Sequence, residues 1–124
     1  MNNIRPLSPH ITIHKWILTQ IMSISHRATG IGFSIGLLFI ALWMTSFVLG
    51  PNYYEFFKLI FYNIFGKIIF IVIVFCFIFH FIDEFRKIFW AFGLGLSLIS
   101  IKISSYIIIL ISLILTFLVF IFLL

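Results

Sequence analysis

Residues Ser23–Gly50 read SISHRATGIGFSIGLLFIALWMTSFVLG. The first octet, Ser23-Ile24-Ser25-His26-Arg27-Ala28-Thr29-Gly30, is polar, and the remainder to Gly50 carries no charge. An uncharged run of that length covers the roughly 20 residues a helix needs to cross a hydrocarbon core. Arg27 stands at its mouth, where a cation is either a headgroup anchor or part of a site. At helical spacing Ser23, His26, Arg27, Gly30 and Ser34 fall on one face. Hydroxyls, an imidazole and a guanidinium then converge where the helix leaves the headgroups, which makes a polar pocket at the membrane surface.

The whole chain fits that reading. Its 124 residues are 64% hydrophobic and only 9% charged, with a mean hydropathy of +1.31, too little polar surface to coat a water-soluble core. The fold class is an all-α integral membrane protein. The mixed stretch Met1–Gln20, with Arg5, Pro6, Pro9, His10, His14 and Lys15, lacks the apolar core of a cleavable signal, so the N-terminus is expected to be retained. The single cysteine, Cys76, excludes an internal disulfide and a thiolate metal cluster. The net charge of +5 does not point to nucleic acid, because the basic residues stand singly at the ends of apolar segments.

Hydropathy predicts three spans, at about 24–49, 59–82 and 103–124, giving an N-terminal segment over 1–22 and a three-helix membrane anchor over 23–124. Gly50-Pro51-Asn52 is expected to stop the first helix and open a short loop with Tyr53, Tyr54, Glu55 and Lys58. Asn63 and Lys67 make the middle span the least clean, and Gly93 and Gly95 should break the helix before the third. Arg5, Lys15, Arg27, Arg86, Lys87 and Lys102 collect on the N-terminal side, against Lys58 and Lys67 on the other. The positive-inside rule then puts the N-terminus in the cytoplasm or, in a mitochondrion, the matrix. No soluble domain accompanies the spans, so the chain is not expected to be an enzyme alone and no catalytic residue is assigned.

His80 closes the apolar stretch Ile68–Phe79. An imidazole there either hydrogen-bonds a neighbouring helix or ligates a metal, and haem iron suits the second reading because bis-imidazole ligation needs one His per helix. Asp83, Glu84 and Lys87 continue its face at i+3, i+4 and i+7. Asp83 and Lys87 read as a solvated helix end with local ion pairs, and Arg86, one position off, as a side chain reaching headgroups or an acidic ligand group. His10 and His14 suit surface contact better than metal binding, and Gly32-x-x-x-Gly36 supports close helix packing.

Taken together, Arg5-Pro6-Leu7-Ser8-Pro9-His10-Ile11-Thr12-Ile13, the octet Ser23–Gly30, and His80 followed by Arg86, Trp90 and Gly93 resemble the cytochrome b subunit of succinate dehydrogenase, respiratory complex II. The resemblance covers nearly the whole chain. It implies a three-helix anchor paired with a second small membrane anchor subunit in a heterodimeric bundle, beneath an iron–sulfur subunit and a flavoprotein. It further implies passage of electrons from succinate to ubiquinone and a haem b shared with the partner anchor. Ser23 and Arg27 would line the quinone pocket, His26 and Arg27 would lie near the haem propionates, and His80 would be an axial ligand of the iron. The location implied is the mitochondrial inner membrane or, alternatively, a bacterial plasma membrane.

The chain departs from the family pattern after the second span. The family reads His-x-x-x-Gly-Ile-Arg-His-Leu, whereas Glu84 takes the Gly position, Lys87 the second His position and Ala91 the place of an Asp after Trp90. His14 replaces a common Tyr. A glutamate one turn from the presumed ligand would put charge beside a macrocycle. Two other readings therefore stand beside the first: a haem-free or fumarate-reductase-type quinone anchor, and a structural membrane subunit without redox function.

Overall fold

The structure is a computed structural model that describes residues 15–123. Its four helices are, in chain order, α1 Leu18–Leu49, α2 Pro51–Tyr62, α3 Ile64–Ala91 and α4 Leu98–Leu123. The expected all-α class is met, and α1, α3 and α4 are each long and apolar enough to cross a bilayer. At 32 residues α1 is about 48 Å long, well beyond the hydrocarbon core. It starts at Leu18, ahead of the apolar run, where Ile17 is extended and its N–H donates to Gln20 Oε1 at 3.3 Å.

Gly50, at φ 110°, ends α1 in a conformation other residues avoid. Helix resumes at once where a loop was expected. Pro51 occupies the first helical turn, where its missing N–H is no loss, and the aromatic residues of α2 give it something to pack on. Tyr54 stacks on Phe47 at 4.6 Å and Phe61 meets Phe39 edge-on at 5.9 Å, so α2 doubles back along the last turns of α1. Asn63 is extended and separates α2 from α3, so 59–82 is not one continuous helix. Gly66 makes that corner possible: a Cβ there would collide with the Ile60 carbonyl oxygen and Phe61 Cα. Gly93 and Gly95, at φ 77° and 73°, break the chain between α3 and α4 as expected, and Ser97 opens α4 by accepting from the Ser100 N–H at 3.1 Å.

α3 is the central element, packed against both α1 and α4. Small residues set the spacing, as expected where lipid supplies no hydrophobic drive between helices. On α1, a Cβ added at Gly32 would lie 2.5 Å from Cys76 Sγ, and one at Gly36 2.5 Å from Ile73 Cγ2. On α4, Ser105, Ser112 and Thr116 are buried around Ile108. Their hydroxyls donate to the carbonyls of Ile101, Ile108 and Ser112 one turn back, so they pack almost as apolar residues do. Among the described residues only Met22, Phe79 and Ile108 form a fully buried apolar core. Most other large apolar side chains face outward, a surface suited to lipid or to another membrane chain.

The glycine spacing makes a specific prediction. Gly32→Leu should push α3 away from α1, lowering stability by about 1–3 kcal/mol and raising the labelling rate of the Cys76 thiol by a membrane-permeant maleimide. Unchanged labelling and unchanged thermal unfolding would show that the α1–α3 contact does not depend on this residue.

Candidate functional site: the polar end of the bundle

His26 of α1 meets His80, Asp83 and Glu84 of α3 at one end of the bundle, with Arg86 and Lys87 beside the two acids. His26 lies over His80, ring centroids 4.2 Å apart and planes 20° from parallel. A Cβ at Gly30 would stand 3.0 Å from His80 Cε1, so the absent side chain gives that imidazole its place against α1. His80 Nδ1 is 3.3 Å from the His26 carbonyl oxygen. With the proton on Nδ1, that contact leaves Nε2 as the free lone pair, the arrangement in which metal-bound imidazoles are held.

Each nitrogen of His26 has a carboxylate: Nδ1 is 2.9 Å from Asp83 Oδ2 and Nε2 is 2.8 Å from Glu84 Oε1. The ring can donate to both only as imidazolium. Asp83 is 1% exposed and lies against the Arg86 guanidinium on its other oxygen. Around Asp83 these are close approaches more than aligned hydrogen bonds. Arg86, also buried, donates from Nη1 to Ser105 Oγ at 2.7 Å and sits over the Trp90 ring at 4.5 Å. The chain His26–Asp83–Arg86–Ser105 thus joins α1, α3 and α4. Glu84 is different: its side chain is 47% exposed, pairs with Lys87 Nζ at 3.2 Å and approaches His80 Nε2 to 4.0 Å. Ligand atoms of His26, His80 and Glu84 lie within 4.8 Å of one another, close enough to share a metal.

The single polar face read from α1 is divided by the structure. His26 and Gly30 turn toward α3, whereas Ser23, Arg27 and Ser34 lie on the exposed flank of the same arc. Among the described residues Arg27 forms no ion pair, so its guanidinium is open to a ligand or a second chain. Asp83 and Arg86 are corrected most: they are the buried centre of the end, not a solvated helix terminus or a headgroup contact. The expected local pair at a half-exposed helix end is instead Glu84–Lys87. Ser105 escaped the sequence reading, although the hydroxyl spacing of Ser105, Ser112 and Thr116 marks one face of α4. His10, His14 and the Arg5–Ile13 motif lie outside the described residues.

Comparison with known proteins gives these positions a family. The model for the succinate dehydrogenase/fumarate reductase transmembrane subunit matches residues 1–119. The succinate dehydrogenase cytochrome b556 subunit of Rickettsia bellii is 31% identical over 116 residues, covering 94% of this chain and 90% of that protein. The mitochondrial cytochrome b560 subunit of Homo sapiens is 35% identical over 98 residues, 76% of this chain and 57% of that protein. That of Sus scrofa is 32% identical over 112 residues, 87% of this chain and 65% of that protein.

The burial of the two acids ranks their mutants. Asp83→Ala leaves Arg86 buried without its counter-charge and should cost about 3–5 kcal/mol. Glu84→Ala removes a half-exposed partner and should cost no more than ~1 kcal/mol. Thermal unfolding of the solubilised assembly checks the order; Glu84→Ala as the more damaging change would contradict the buried network.

Proposed function

The chain belongs to the succinate dehydrogenase/fumarate reductase transmembrane subunit family, and from that premise we propose that its polar end binds one side of a haem b and borders a ubiquinone pocket. It is a membrane anchor subunit in that family, and its relatives carry cytochrome b names from bacterial and mitochondrial sources. The observation that carries the haem reading is His80, whose Nδ1 rests on the His26 carbonyl while Nε2 is left to ligate. The donor is of the right kind, and Gly30 leaves its ring room. Haem b, when bound, supplies one-electron redox capacity. A second imidazole would come from the partner anchor subunit.

Arg27 and Ser23 act on the quinone side. They are exposed one turn apart on α1, beside the His26–His80 stack. A quinone oxygen gains negative charge as it is reduced, and a guanidinium and a hydroxyl held against it stabilise that charge and orient the ring. Of the two side chains assigned to the propionates, Arg27 has no ion-pair partner among the described residues, whereas His26 already faces two carboxylates. Arg27 therefore carries most of the anion contact. The iron–sulfur subunit and flavoprotein would dock at this end, with electrons running from succinate to ubiquinone. The succinate dehydrogenase names of the relatives support that direction. The membrane is an inner mitochondrial or bacterial plasma membrane, with the N-terminus assigned to the matrix or cytoplasm by cation placement.

Glu84 favours a second reading, a quinone anchor of the same family without haem, because its carboxylate lies 4.0 Å from the ligating nitrogen. A dithionite-reduced minus oxidised spectrum of the intact complex separates the two: a b-type signal, with a midpoint potential raised in Glu84→Gln, supports the haem reading, and no signal in a quinone-reducing complex supports the second. For the quinone site, Arg27→Gln should lower ubiquinone reduction roughly 10²-fold while succinate-driven reduction of a soluble dye is unchanged. Equal loss in both assays would assign Arg27 to assembly.

A further inference from the structure

A second feature lies toward the other end of the bundle, where α2 folds back beside α1 and α3. The three helices enclose an apolar cleft of about 690 Å³, within the roughly 300–1,000 Å³ of small-molecule sites. Its walls are mostly apolar, Phe33 and Phe77 among them, and Trp43, Tyr54, Lys58 and Lys67 also line it. We propose that this cleft holds one membrane phospholipid, an acyl chain between the helices and an anionic headgroup on Lys58 and Lys67.

The charges decide the occupant. Lys67 is half-buried in the first turn of α3 and, among the described residues, has no anionic partner. Lys58 is 3.5 Å from Glu55 and 5.9 Å from the Tyr62 ring centroid. Two amines and one carboxylate leave a net positive charge beside an apolar slot, which matches a molecule with a phosphate head and a hydrocarbon tail. Tryptophan and tyrosine are the side chains that sit comfortably at headgroup height, and α2, with its two charges among aromatic residues, suits the interface plane. A neutral head leaves the amines without a counter-charge, and a zwitterionic head brings its own cation against them. The cleft reaches inward to Phe33, whose ring is 5.8 Å from His80, but lipid occupancy there does not depend on haem or quinone at the polar end.

The test uses the whole complex in nanodiscs of phosphatidylcholine with a minority of phosphatidylglycerol, and native mass spectrometry to count retained lipid. The wild type should keep about one phosphatidylglycerol per copy of this chain, enriched over its share of the bilayer. Each lysine should contribute roughly fivefold, so Lys58→Gln/Lys67→Gln should lose retention by about 25-fold, with helical circular dichroism and Cys76 shielding unchanged. Retention of the two lipids in proportion to their abundance would overturn the proposal, and that comparison needs no variant. Full retention in the double variant would overturn it too, as would cross-linking of Lys67 to a carboxylate of a neighbouring subunit in place of lipid.

Discussion

A buried carboxylate at the end of a membrane helix must be neutralised where it stands, and Asp83 organises the polar end for that reason. At 1% exposure it has no water to turn to, and an unpaired ion in such surroundings is expensive. Its counter-charge is Arg86 on its own helix, His26 on α1 lies against its other oxygen, and Arg86 in turn reaches Ser105 on α4. Three helices that pack mainly through small residues therefore meet in one register at this end. A shift along either interface would separate a charge from its partner.

The position of His80 depends on that register. One turn before Glu84 on α3, it lies under the His26 ring and against Gly30, with the His26 carbonyl fixing one nitrogen. An imidazole held through one nitrogen by the backbone of a neighbouring helix is oriented in advance, which lowers the cost of binding at the other nitrogen. The outer flank of the same helix stays open. Ser23 and Arg27 are exposed there. The exposed apolar surface of the three long helices suits lipid or another membrane chain.

Much of this was legible in the residues. The uncharged run after Arg27, the glycine pair before α4 and the collection of cations at one end can be read from hydropathy and charge alone, and the Arg5–Ile13 motif together with the octet suggested the family. The break at Asn63 was not legible, because a polar residue in an apolar run reads equally well as a tolerated exception. Helix α2 was missed because Gly50-Pro51-Asn52 signals a turn, and only the packing of Tyr54 and Phe61 on α1 shows that helix resumes at once. Asp83 was misplaced for a related reason. Its spacing from Arg86 suggests an ordinary surface pair, and the hydroxyl that receives Arg86, Ser105, comes from a helix whose contacts have no local trace in the α3 sequence.

The central claim is that His80, held from α1, presents its free nitrogen to haem iron. The most direct measurement is chemical rescue: the complex carrying His80→Gly, assembled with and without added imidazole and monitored by the ferric haem spectrum. The account predicts a low-spin signal that is lost in the variant and returns with imidazole filling the vacated space beside Gly30. A low-spin spectrum that persists in His80→Gly without imidazole would show that the iron takes its ligand elsewhere.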